Sequence, residues 1–437
     1  MNDARPLDAS PASSEATQSD TALQRAVRKN AWRLITFLSL CYLVNFLDRT
    51  SVSYAALQMN KAVGLTPTQF GWGAGMLFIS YCVFEVPSNL AMYRYGARRW
   101  IARIMITWGI AAMAMALTAG PISFYVLRFL LGAFEAGFFP GVIWYISIWF
   151  PASYRTRVLA WFAVAAPVSQ TLGAPLSVAL LRLDGWFGLG GWQWMFILQG
   201  LPAVLLGVVA LKVLRDTPAG ATWLAADERR ALLDALASET HDRPKKNLLA
   251  ACKDIRVVTL AFITFSFTIG SYGIGLWLPL ILKGHGLSLS AVGWWSSVAF
   301  LAASVATIVA ARYVDRSGRR VASLMAAMIL ATCGLVCAVV FPSFAVTLVC
   351  LVLAIAGTIA ARTVFYTIPS TFLTGAAAAG GFAAINCIGS LGGFVGPGLF
   401  GWLKDLTHSY DAGMLGIAAV LLVGTLLAWS LKLTTRT

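Results

Sequence analysis

What most constrains this chain is a succession of apolar runs, each about as long as a bilayer is thick, separated by short polar breaks. Twelve can be drawn, over residues 33–57, 69–93, 100–120, 121–149, 157–181, 192–214, 256–282, 290–311, 321–341, 343–371, 379–403 and 411–434. A helix crosses hydrocarbon in about 20 residues, and only a helix satisfies all its backbone groups within one such run. Of the 437 residues, 59% are hydrophobic and 12% charged, with a mean hydropathy of +0.75. That leaves too little polar material to clothe a soluble protein. The expected fold is an all-α polytopic membrane protein with twelve transmembrane helices in two pseudo-symmetric six-helix halves.

A net charge of +15 would suggest nucleic acid in a soluble chain, but placement decides its meaning here. With the N-terminus inside, the outer loops hold only Lys61, Arg182, Lys283 and Lys404, and only Arg49, Arg128 and Arg362 lie within the membrane away from the ends of the runs. The other 26 of the 33 Lys and Arg fall in inner segments. This is the bias that orients membrane helices, so both termini are expected in the cytoplasm and no nucleic-acid partner is expected. The seven cysteines are scattered without metal or disulfide spacing. His241, His285 and His408 all lie in loops, so neither a metal site nor a cofactor is expected. Membrane-embedded enzyme chemistry lacks an activated nucleophile or metal cluster within the runs.

The longest polar stretch, 215–255, reads as a linker carrying a short surface helix at Trp223–Leu236, between halves at 31–214 and 256–437. Residues 1–30, whose first twenty are rich in Ser, Ala, Asp and Pro, are expected to form a disordered inner tail. The halves share punctuation at one offset of 222 residues. Leu65-Thr-Pro-Thr68-x-x-Gly71 answers Leu287-Ser-Leu-Ser290-x-x-Gly293, Arg94-x-Gly96-x-Arg98 answers Arg316-x-Gly318-x-Arg320, and Pro175 answers Pro397. One offset at three separated places argues for duplication. Repeats of this kind place the binding site at their interface near the midplane.

Two oppositely charged pairs lie inside runs of the first half: Asp48 and Arg49 in the first, Arg128 and Glu135 in the fourth. Such charges are costly at bilayer depth and face a bundle interior or a water path. Arg128 and Glu135, seven apart, share one helical face about 10 Å apart along the axis. Counted from the ends of their runs, Arg128 falls near the outer third, Glu135 near the middle, and Asp48 and Arg49 near or somewhat outside the middle, so the four could share one cavity. A carboxylate moving between desolvated and cation-paired surroundings can bind and release a proton, and a guanidinium can take a carboxylate through two parallel hydrogen bonds. The competing reading is a pair of static salt bridges locking helices together.

Here a resemblance becomes specific. Asn45-Phe-Leu-Asp48-Arg49, Tyr81-x-x-Phe-Glu85-Val-Pro87-Ser-Asn89, Arg128-Phe-Leu-Leu-Gly132-x-x-Glu135-Ala-Gly137-Phe-Phe-Pro140-Gly and Ile385-Asn386-x-Ile-Gly389 resemble the anion:cation symporter family of the major facilitator superfamily, over residues 30–434. The resemblance implies a monomeric inner-membrane importer of small organic acids, driven by protons and working by alternating access. It implies Asp48 and Glu135 as protonation sites, Arg49 on the substrate carboxylate, Arg128 on the acid of the first span, and Tyr81 lining the pocket. An exchanger or facilitator of the same fold is the alternative.

The second half has no matching acid; positions 270 and 357 are both Gly. It is expected to contribute uncharged contacts through Tyr272, Tyr366, Asn386 and Ser390, with Gln170 added from the fifth run. Arg362 departs from the family pattern. It reads either as a second cation for a dicarboxylate or as a side chain snorkelling to the inner face. Asp315, Arg316 and Arg319 match the superfamily's inner-loop motif. The first copy, with Arg94 and Arg98, is partial, since Asn89 and Tyr93 replace the usual Gly and Asp and Glu85 would have to supply the acid. These turns read either as gates or as tight loops with anchoring charges.

Overall fold

The computed structural model describes residues 11–239, 255–341, 343–369 and 375–434. The helices form twelve spans in two sets of six, and no strand occurs among the described residues. In the first half they are Thr36–Ala62, Pro67–Tyr95, Ala97–Ala114, Pro121–Glu135 with Phe138–Trp149, Ala152–Ala163 with Ala165–Leu181, and Gly191–Val213. In the second half they are Ile255–Gly284, Leu289–Ser317, Arg320–Val340, Phe344–Phe365, Gly375–Thr407 and Tyr410–Thr434. Outward-facing Ile122, Leu172, Leu205 and Val309 are exposed, as suits a protein whose solvent is lipid.

The repeated punctuation acquires a structural meaning. Thr66 and Ser288 both cap their helices, accepting from the amides of Gln69 and Ala291. Gly96 and Gly318 take φ of +86° and +64°, which glycine adopts freely. Across the halves, a methyl group added at Gly71 of span two would fall 2.2 Å from the Pro397 carbonyl oxygen of span eleven. One added at Gly293 of span eight would fall 3.4 Å from the Ala174 carbonyl, beside Pro175 of span five. The repeat therefore meets itself reciprocally, glycine of one half against the proline-bearing helix of the other.

Those contacts seal one face of the molecule. Close by, the Thr68 amide donates to Asp405 at 2.8 Å and its hydroxyl bonds the same carboxylate. Arg182 bonds the Ser290 hydroxyl, and Ser297 donates to the Thr171 carbonyl at 2.6 Å. The halves also meet further along spans two and eleven, where Cys82 Sγ and Cys387 Sγ lie 3.0 Å apart, and a central cavity is lined by residues of both halves.

Two expectations are corrected. The tail expected to be disordered is helical from Pro11 to Asn30 and runs through a π-helical turn at Ala31–Ile35 into span one; residues 1–10 lie outside the described set. Ala22, Ala26 and Val27 are buried, one apolar stripe that the low average hydropathy conceals. This helix docks on the linker helix Ala226–Ala237, where Arg25 pairs with Asp227 and Lys29 with Glu228, both at 2.8 Å. Trp223 then stacks on Trp149 and donates to Asn30 at 2.8 Å. The second correction is in span four, which is two helices and not one. Gly137 adopts φ +88° between them.

Candidate substrate site

The central cavity has a wide chamber of about 460 Å³ and a narrower one of about 100 Å³. Phe46, Arg49, Phe78, Tyr272 and Arg362 line both and form the waist between them. Glu135 is the last residue of the first helix of span four, so the break at Gly137 follows directly behind its carboxylate. Glu135 Oε1 accepts from Arg49 Nε at 2.5 Å and from Asn45 Nδ2 at 2.7 Å. Asn45 and Arg49 stand one turn apart on span one, so they reach the same carboxylate. The Arg49 guanidinium also lies 4.9 Å from the Tyr81 ring centroid, a cation–π contact that fixes it in the cavity.

The other pairings differ from expectation. Asp48 does not line the cavity; it is buried, and its Oδ2 accepts from Trp108 Nε1 of span three at 2.8 Å. Arg128 does not meet Asp48. It is 2% exposed and donates from Nη2 to the Ala74 carbonyl at 2.8 Å, leaving Nε and Nη1 without protein partners. It lines the narrow chamber together with Gln170.

Tyr366, Asn386 and Ser390 line the wide chamber, and Tyr366 donates to Asn386 Oδ1 at 2.9 Å. Arg362 does not snorkel. Span ten ends at Phe365, and the Arg362 side chain turns back into the cavity, 5.3 Å from the Tyr272 ring centroid. Of the inner-loop residues, Glu85 lines the wide chamber and accepts at its carbonyl from Asn89 Nδ2 at 2.8 Å. Arg98 bonds the Leu211 carbonyl and, through its amide, Asp216. Arg94, Asp315, Arg316 and Arg319 are exposed, and no ion pair joins the two turns among the described residues.

Sequence reading missed Asn45, Trp108, Thr264 and Thr268 as site residues. Two signals were available. Asn45 precedes Arg49 by four, and Thr264, Thr268 and Tyr272 repeat at that spacing to form a polar stripe on span seven that faces the wide chamber.

A chain of twelve spans in two duplicated halves, with a charged cavity between them, is a transporter architecture. The sequence profile of the Major Facilitator Superfamily matches residues 38–288 and 260–437. An Agrobacterium vitis protein named for tartrate transport is 45% identical over 405 residues, 92% of this chain and 90% of that one. An Acinetobacter baumannii quinolone resistance transporter is 39% identical over 408 residues, 92% and 94% of the two chains. Among solved structures, a bacterial homologue of the human lysosomal transporter Spinster, inward-facing and occupied, superposes with a TM-score of 0.78 at 17% identity, covering 92% of this chain and 96% of that one. This chain belongs to the major facilitator superfamily and is a multi-pass membrane transporter.

Proposed function

We propose that the protein imports a small organic carboxylate together with protons across the bacterial inner membrane, by alternating access. The observation that carries this reading is the Arg49–Glu135 ion pair standing in an open cavity. Arg49 can serve one carboxylate fully at a time. When a substrate carboxylate takes its guanidinium, Glu135, whose side chain is 1% exposed, loses its counter-ion, and an uncompensated buried carboxyl takes up a proton. Anion and proton are then loaded together. When the substrate leaves, Arg49 returns to Glu135 and the proton is released. The name of the Agrobacterium vitis relative supports an organic acid as the cargo, and the resemblance of the charged motifs to proton-driven anion symporters supports the coupling.

The electrical arithmetic makes coupling useful. Moving one negative charge inward against the membrane potential costs about 2.3 kcal/mol per 100 mV. One accompanying proton cancels that cost, and each further charge on the substrate requires a further proton.

Uptake of radiolabelled tartrate into energised membrane vesicles tests the reading. Initial uptake is expected to collapse on addition of a proton uncoupler. Uptake that is indifferent to the uncoupler but stimulated by internal anion would make the protein an exchanger.

A further inference from the structure

Three guanidiniums face one cavity, and their carboxylate partners do not match them in number. Arg49 is neutralised by Glu135. Arg362 is in no ion pair among the described residues, although Glu85 lines the same wide chamber. The only acids in residues 256–437 are Asp315, Asp405 and Asp411. Asp315 is exposed at the end of span eight, Asp405 is held by Thr68, and Asp411 accepts from Ser409. An arginine within a membrane span is expensive unless something balances it, yet here its face rests on Tyr272 at the waist shared by both chambers. Arg49 lines the same waist from the first half.

From this juxtaposition we propose that Arg362 is a specificity-determining residue that receives a second carboxylate. The substrate is thus a short dicarboxylate held between Arg49 of one half and Arg362 of the other. The inference rests on the organic-anion reading above and adds to it. A monocarboxylate can satisfy only one of the two cations and leaves the other uncompensated when the cavity closes. A dicarboxylate satisfies both, and because its two contacts belong to different halves it links them. Tyr272 orients the guanidinium through its ring and a side-chain hydrogen bond, and the remaining N–H groups can bind a ligand carboxylate in a planar, two-bond fashion.

The test is binding, not uptake, so that no ion gradient enters. Purified protein is titrated calorimetrically at neutral pH with tartrate and with its monoamide, which keeps the shape and removes one charge. Wild-type protein should bind tartrate at least about tenfold more tightly, as expected for loss of one hydrogen-bonded ionic contact. Arg362→Gln should bring tartrate down to the affinity of the monoamide while leaving the monoamide within about twofold, and Arg362→Lys should restore part of the difference. A purely structural role for Arg362 would weaken both acids alike. Equal wild-type affinity for the two acids overturns the proposal while leaving the organic-anion reading intact, and this comparison needs no variant to fold. A tartrate preference that survives Arg362→Gln overturns it too. If neither acid binds the wild type, the organic-anion reading fails with it.

Discussion

Asp48 and Arg49 are neighbours in sequence but not in space. Successive helical residues point about 100° apart, so one of them can enter the cavity while the other turns into the bundle. Arg49 enters the cavity, and Asp48 reaches Trp108. Their separation was implicit in the helical period, whereas their partners were not, since nothing local in a sequence says which of several helices lies alongside. The same limit applies to Arg128, whose depth could be counted from the end of its run but whose partner, the Ala74 carbonyl, is a main-chain group that any residue type would present. The Asp48–Trp108 contact makes a prediction about stability. Asp48→Ala leaves the indole N–H buried and unpaired and should destabilise the protein by about 1–3 kcal/mol. Asp48→Asn retains an acceptor and should melt close to wild type. Thermal unfolding in detergent checks both, and equal losses for the two variants would show that the indole contact contributes nothing.

At the scale of the helix, the break in span four matters most for the site. Hydropathy delimits a run but carries no information about the phase of the helix within it, so residues 121–149 read as one continuous element. The left-handed turn at Gly137 ends the first helix at Glu135 and leaves the carboxylate beside the interruption. A Cβ at this position would meet a strained φ, worth about 1–2 kcal/mol, and would lie 2.5 Å from Ser88 Oγ of span two. Gly137→Ala should therefore lower the unfolding temperature and weaken substrate binding together. Normal stability and normal affinity would mean that the break is not needed to place Glu135. The N-terminal helix teaches a related lesson. Its average composition suggested disorder, but three small apolar residues on one face suffice when a linker helix with Asp227 and Glu228 lies opposite Arg25 and Lys29. Only the partner surface reveals that stripe as an interface.

For the whole molecule, the number of spans, their order and the duplication were legible because membrane burial leaves a strong, nearly local signature. The reciprocal packing of Gly71 on span eleven and Gly293 on span five gives that duplication a mechanical role, since the same repeated glycine closes the interface twice. The charges break the symmetry. Both acids buried within the spans, Asp48 and Glu135, belong to the first half, and the second half supplies Arg362, so under the proposed function a bridging substrate would meet a proton-handling half and a charge-receiving half at once. The claim at the centre of this account is that substrate displaces Glu135 from Arg49 and that the freed carboxyl takes up a proton. Proton movement in weakly buffered proteoliposomes, recorded with an external pH indicator as tartrate is added, tests it most directly. Wild-type protein should make the outside medium more alkaline as the anion enters. Glu135→Gln should give no pH change while still exchanging labelled for unlabelled tartrate. Proton uptake that persists with the anion in Glu135→Gln would contradict the account.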